Sequence, residues 1–370
     1  MATKEYALVP LFEKFIKYSY NGKRLKPDGN RIKPQTVDNY VYVLNYLREY
    51  QLQQDTVLRI KVIRSNNRRL LFAERNYWKK FYLQFTNYLY FKKNFYDNYV
   101  GTVIKIIRNF FSFVNTEFDI ATGAYYKSFF VCKEEIPVIT LMPRQLHFLI
   151  TNREFEESLS RPLKKAKDIF VIGCTIAFRV SDLFALRFTD IEQVGDHYYI
   201  QARTIKTGAI VRIKLPNYAV AIINKFQSKA RKRQTIFPPV PLTRFNNQLK
   251  AIAGLAGWTN IVRKERSKRG IYELCQGLAK VQPSRFCDII SSHVMRRTAI
   301  TTMLMLGMKE PAVRKISGHT DNSKYFYRYI NLVQSYLDNE VDVVFERLVE
   351  NSDAAGYTSN LPGNRAAESL

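Results

Sequence analysis

Apolar residues recur at helical spacing through the first third of the chain. Leu8, Leu11, Phe12, Phe15 and Ile16 mark one stripe, and Val37, Tyr40, Val41, Leu44 and Leu47 mark a second. A third runs through Tyr77, Phe81, Phe85 and Leu89, and a fourth through Val100, Val103, Ile104, Ile107, Phe111 and Val114. Four such stripes predict a small helical domain over residues 1–117. Its aromatic residues alternate with Lys and Arg, a pattern compatible with base stacking, but aromatics at core spacing are assigned to packing. Lys105 and Arg108 lie on other faces of the fourth helix, where an exposed charge is all that a phosphate contact needs.

Between Phe118 and Ile139 the period is lost, and residues 118–139, with Glu134, Glu135, Ile136 and Pro137 at their end, read as a linker. A second domain is expected over residues 140–350. Pro143 suits the first turn of a helix to Thr151, and Lys164 to Phe178 is a longer, mostly apolar helix. The pattern then changes to alternation: His197 to Thr204 and Ala209 to Leu215 predict two strands joined at Lys206, Thr207 and Gly208. Helices resume over Tyr218 to Lys229 and Leu242 to Ala253, followed by a basic loop from Arg263 to Arg269. A helix from His293 to Leu306 is closed by Gly307, and Pro311 starts a short helix that Gly318 ends. Residues 351–370 are small and polar and read as a flexible tail.

Charge narrows the class. The 370 residues carry 58 Lys+Arg against 32 Asp+Glu, a net +26 that makes a polyanion the expected partner. No apolar run approaches twenty residues, and neither a signal sequence nor a lipidation motif is evident, so nucleic acid is preferred over membrane and a cytoplasmic location is expected. Cys132, Cys174, Cys275 and Cys287 are scattered, with no CxxC pair, which points to reduced thiols and to neither a zinc site nor a disulfide framework.

The chemistry-bearing residues gather late in the chain. His293 and Arg296 lie one helical turn apart in Ser-His-Val-Met-Arg-Arg-Thr, an imidazole and a cation placed to hold one anion. Ile-Ser-Gly-His319 puts a histidine just past a helix end, and Tyr325, Tyr327 and Tyr329 come soon after it. Upstream, Phe178-Arg179-Val180-Ser181-Asp182-Leu183 sets an arginine at a helix junction. Each of these alone has an ordinary structural reading: a pair with Asp182, a polar helix start, a helix stop.

In this order and spacing, over roughly residues 137–347, the set resembles the tyrosine recombinase (phage integrase) family, and the N-terminal helices resemble its core-binding domain. The resemblance implies a mainly α fold with a small β-sheet: a helical, SAM-like core-binding domain and an α/β catalytic domain that together clamp DNA. It implies that Arg179 and Arg296 hold the scissile phosphate, that His293 and His319 donate or shuttle protons there, and that Lys206 protonates the leaving 5′ oxygen. Asp182 is expected to orient its neighbours. Planar guanidinium groups suit a charge-concentrating phosphoryl transition state, and an alkoxide leaving group needs an acid. The family pattern puts its nucleophile about nine residues past the second histidine, where this chain has Arg328 between Tyr327 and Tyr329. Phe326-Tyr327-Arg328-Tyr329-Ile330 favours Tyr329, with Tyr327 the alternative.

The function that the resemblance implies is that of a site-specific recombinase of a phage or mobile element. It would act through a 3′-phosphotyrosyl link and a Holliday junction, as a homotetramer on two duplexes with short inverted-repeat sites. No metal and no nucleotide cofactor are expected. Val341, Val344, Phe345 and Leu348 form an apolar strip suited to docking on a neighbouring protomer or on its own domain. Further DNA candidates are Arg263, Lys264, Arg266, Lys268, Arg269 and Arg297. A type IB topoisomerase would share the chemistry but religate the same strand. A catalytically idle DNA-binding protein would share only the binding.

Overall fold

The computed structural model describes residues 4–63, 67–205, 208–227, 234–263, 265–274, 284–319 and 326–333, with 338, 341, 342, 345 and 346. The chain divides into two compact units, Met1–Ile136 with Lys264–Cys275, and Pro137–Arg263 with Gln276–Leu370. Lys206, Lys264, Tyr325, Val344, Leu348 and the 351–370 tail lie outside the described residues.

In the first unit a strand β1 (Lys4–Ala7) leads into α1 (Leu8–Tyr20), and α2 (Pro34–Gln54) begins with proline in its first turn, where a missing N–H costs no helical bond. Strand β2 (Arg59–Val62) pairs antiparallel with β1. Then come α3 (Arg68–Asn87), capped by the Asn67 side chain on the amides of Arg69 and Leu70, and α4 (Asp97–Glu117). The stripes face one core, in which Phe12, Phe15, Trp78, Phe85, Phe110 and Phe111 are the large buried rings. Val41 is the exception, 39% exposed, with Val43 taking the inward position.

The stretch read as a linker belongs largely to this unit. Ile120 and Phe129 are buried in its core, and a Cβ on Gly101 of α4 would stand 2.0 Å from the Cys132 carbonyl oxygen. Glycine is what lets residues 129–136 lie against the helix.

The second unit is built around α7. Its first helices are α5 (Pro143–Thr151), α6 (Arg153–Ser158) and α7 (Arg161–Ile176), with α8 (Val180–Ala185) after a sharp break. A three-stranded antiparallel sheet comes next, in the order β3 (Ile191–Val194), β4 (His197–Arg203), β5 (Ile210–Lys214). It leads to α9 (Asn217–Gln227) and α10 (Leu242–Leu255).

The chain then leaves this unit. The basic segment expected as a loop is a hairpin, β6 (Glu265–Lys268) and β7 (Ile271–Leu274), which belongs to the first unit. It returns through α11 (Phe286–Ile289), α12 (Ser292–Met305), α13 (Glu310–Ser317) and α14 (Tyr327–Ile330). Helices α7 and α12 cross closely: a Cβ on Gly173 would meet the Met295 sulfur at 2.3 Å. Gly307, at φ 85°, closes α12. Among the described residues no helix is long and apolar enough to cross a membrane, and no cluster of metal-ligating side chains occurs.

Candidate active site

The break after α7 sets the first cation. Ala177 takes a left-handed conformation (φ 58°) that a non-glycine residue adopts only when its surroundings enforce it, and it is fully buried. Two residues on, Arg179 is the extended residue that opens α8. Its Nη1 lies 3.9 Å from Asp182 Oδ2, too far for a hydrogen bond, and both atoms are buried without a hydrogen-bond partner. Asp182 Oδ1 instead accepts the Ile205 amide at 2.9 Å, which fastens the β4–β5 turn beside α8. Lys206 is the next residue of that turn, outside the described residues.

The second cation comes from α12. Asn246 of α10 accepts the Ser292 amide at 2.9 Å, supplying the cap that this helix start otherwise lacks. One turn in, Arg296 Nη1 donates to the Ala177 carbonyl at 2.8 Å, so the strained residue holds the second arginine beside the first. Burial pushes the Arg296 guanidinium down to about 10, and Arg179 adds to that. A buried cation beside a partly exposed one whose Nη1 is an unfilled donor forms a site that gains from an anion of phosphate type.

Gly318 sets the third member. It ends α13 at φ 62°, with Gly318 N donating to Lys315 O and His319 N to Arg314 O, the paired bonds of a Schellman stop. A Cβ here would stand 3.4 Å from Val211 of β5, an ordinary contact, so it is the left-handed φ and not space that calls for glycine. His319 lies 3.4 Å from Arg296 Nη2, and Ser317 Oγ is 2.7 Å from its Nδ1. Burial pushes the His319 imidazole down to about 3, with Arg296, Arg179 and Arg314 contributing, so the ring is neutral at physiological pH.

The two tyrosines differ in environment. The half-buried Tyr329 ring lies 6.0 Å from the His319 ring, edge to face, and Tyr329 couples electrostatically to Arg296. Tyr327 is 54% exposed and stacks against Arg314 at 5.0 Å. The structure thus brings together Arg179, Asp182, Arg296, His319 and Tyr329. His293 stands apart at the exposed start of α12: among the described residues no hydrogen bond or ring contact joins it to those five. Partial desolvation lowers its imidazole, with Arg297 adding.

The DNA candidates also separate. Lys105 and Arg263 are exposed, and Arg297 is half-buried. Arg108 is half-buried and points at the Phe129 carbonyl. Arg266 is paired with the buried Glu134 at 2.7 Å, Lys268 bonds Asn94 and Glu273, and Arg269 bonds Asn87, so these three hold the hairpin to its own unit. Sequence reasoning missed Arg314, Ser317 and Asn246, whose parts depend on neighbours rather than on a motif. Arg314 is buried, pairs with Glu310 at 2.6 Å and caps the Phe326 ring at 4.2 Å.

Residues 153–335 match the phage integrase family. The chain belongs to that family, the tyrosine recombinases, through this domain. Among solved structures it is similar to a lambda integrase dimer bound to a COC′ core site, at 14% identity over 88% of this chain and 77% of that one, with a TM-score of 0.57. It is also similar to the XerH recombinase on palindromic difH (12% identity, 91% and 95% covered, TM-score 0.56). The Tn1549 transposon integrase with transposon right-end DNA gives 14%, 93% and 100%, and 0.56. At such identities the likeness establishes the fold: mainly α, a helical unit followed by a catalytic-type unit. No curated protein sequence matches the chain.

Proposed function

We propose that the protein is a site-specific DNA recombinase that cleaves and rejoins duplex DNA with Tyr329 as nucleophile. The observation that carries this is the pocket in which Arg179, Arg296, His319 and Tyr329 meet inside a phage integrase domain. Arg179 and Arg296 bind the non-bridging oxygens of the scissile phosphate and neutralise the charge that builds there. The Tyr329 oxygen attacks phosphorus, the bond to the 5′ oxygen breaks, and Lys206 supplies the proton that this oxygen takes up. Attack by a 5′ hydroxyl of the partner strand reverses the step and completes exchange without loss of bond energy.

His293 reaches the phosphate from the first turn of α12 when DNA is bound. Asp182 serves by holding the turn that carries Lys206. Lambda integrase has been seen as a tetramer on a Holliday junction, XerH on difH and the Tn1549 integrase on transposon ends. The same assembly, a homotetramer on two duplexes with short inverted repeats, is our reading here, in a prokaryotic cytoplasm and on behalf of a mobile element. Val341 and Phe345, 53% and 60% exposed, are apolar groups free to dock between protomers.

Covalent trapping on nicked duplexes from the DNA flanking the gene tests this. Wild type should give an SDS-resistant adduct, Tyr329→Phe none, and Tyr327→Phe an adduct close to wild type. Loss only in Tyr327→Phe moves the nucleophile by two residues. Absence of any adduct on DNA that the protein binds would favour the idle binder.

A further inference from the structure

Tyr329 sits on α14, a single turn of four residues, too short to hold its shape without outside support. That support is a pair of fully buried side chains, Phe326 before the turn and Val333 after it, set in a small core with Ala177, Ile300 and Val313. The Phe326 ring lies 5.3 Å from the His319 ring and 6.0 Å from the Tyr329 ring, edge to face in both cases, so one anchor touches two members of the pocket. The wall on its α13 side is not apolar. Arg314, 6% exposed, lays its guanidinium over the Phe326 ring at 4.2 Å and over the Tyr327 ring at 5.0 Å. Glu310, one turn earlier on α13, accepts from both Nε and Nη2 at 2.6 Å and fixes the plane of the group. A leucine or methionine would fill this space without the cost of burying a charge, so the cation calls for a reason beyond packing.

We infer that Arg314 is a positioning residue: its contacts with the faces of Phe326 and Tyr327 latch α14 onto α13 and so hold Tyr329 at the pocket of Arg296 and His319. A cation over a ring face is held more strongly where water is excluded, and the buried Phe326 provides such a place. Both rings lie within three residues of Tyr329, and Phe326 O accepts the Tyr329 amide at 2.9 Å, so what fixes them fixes the nucleophile. The latch acts on the tyrosine and not on the phosphate, because Arg296 keeps its own bond to the Ala177 carbonyl whether or not α14 is in place.

This inference rests on the recombinase reading, and the two fail separately. In the full-length protein Arg314→Met keeps the bulk and removes the charge. On nicked duplexes from the DNA flanking the gene, its single-turnover adduct formation should slow by roughly tenfold, the scale of a desolvated cation over a ring, with affinity for the same DNA unchanged. Arg314→Lys, a cation without the planar face, should fall between methionine and wild type. A methionine variant at the wild-type rate, a lysine variant no better than methionine, or an equal loss of DNA affinity overturns the proposal. Hydrogen exchange reads the latch without any cleavage: the amides of Asn331, Leu332 and Val333, which close the turn, should exchange roughly tenfold faster in Arg314→Met, with α12 unchanged. Wild-type exchange there overturns the latch. If Arg314→Met does not fold, Glu310→Gln, which frees the guanidinium plane from a partly exposed site, carries the same test: faster exchange at these amides supports the latch, and wild-type exchange with a wild-type rate overturns it. If wild type forms no adduct, the recombinase reading fails while the exchange result still decides whether Arg314 holds α14.

Discussion

Gly318 positions His319 through backbone geometry. Its left-handed φ of 62° aligns the amide of the next residue with the Arg314 carbonyl, while a Cβ would meet Val211 only at ordinary contact distance. Alanine at this position must adopt that φ, so Gly318→Ala should cost about 1–2 kcal/mol. The displaced turn should also slow adduct formation more than DNA binding. Thermal unfolding beside a single-turnover assay checks both, and an unchanged melting temperature would show that the turn relaxes without loss. Ala177 already bears the same kind of φ without a glycine, and its carbonyl holds Arg296. That strain is local to the two arginines, as expected where surrounding packing enforces an active-site geometry. The motif residues were legible because arginine, histidine and tyrosine in this order mark chemistry by type. Ser317, Arg314 and Asn246 were not, since a serine two residues before a histidine says nothing until the helix end folds its hydroxyl onto the ring.

Helices α6, α7 and α9 meet at a four-charge network rather than at apolar groups alone. Lys167, 2% exposed, bonds Glu156 at 2.8 Å and lies 3.1 Å from Asp168, while Lys225 reaches both carboxylates. Burial raises the Glu156 carboxyl, but the two lysines outweigh it and hold the group at about 2. The folded value lies below the unfolded one, so the stabilisation is fully present above about pH 4.5 and is lost as pH falls toward 2. Melting temperature should therefore fall more steeply between pH 5 and 3 for wild type than for Glu156→Gln; parallel curves would remove this network from the acid response. At this scale the four N-terminal stripes and the β4–β5 pair could be read from periodicity, because each buries one continuous face. Residues 118–136 could not, since they carry no period and are held by single anchors such as Phe129 and by the Gly101 gap. Strands β6 and β7 are four residues each, with Ser267 the only buried side chain, so no apolar alternation marked them.

The chain passes between its two units three times, and the hairpin at residues 265–274 is what the second and third passages deliver. Two buried carboxylates of the first unit receive it. Asp97, at the start of α4, accepts Ser267 Oγ at 2.6 Å and the amides of Arg269 and Gly270 at 2.8 and 3.0 Å, besides Tyr90 Oη at 2.5 Å. Glu134 accepts the Arg266 side chain and the Ser267 amide. Burial alone would raise the Asp97 carboxyl; the hydrogen bonds from Ser267, Tyr90 and the two amides reverse this and hold it low. The first unit thus keeps two carboxylates in its interior whose donors, Tyr90 apart, come from a segment more than a hundred residues downstream. Where the excursion begins and ends, the Val262 amide donates to the Ser284 carbonyl at 2.8 Å, so the second unit closes at its base without the hairpin. Replacing residues 264–283 by a short Gly/Ser link should therefore leave the second unit folded. It should destabilise the first unit by about 3–5 kcal/mol, the cost of stranding buried charges. Hydrogen exchange at the α4 amides measures this directly. In an Asp97→Asn, Glu134→Gln background the same replacement should cost less, because neutral groups are cheaper to strand, and the difference isolates the charge contribution. Equal losses in the two backgrounds would mean that the hairpin stabilises by covering apolar surface, and that the buried carboxylates are incidental to its attachment.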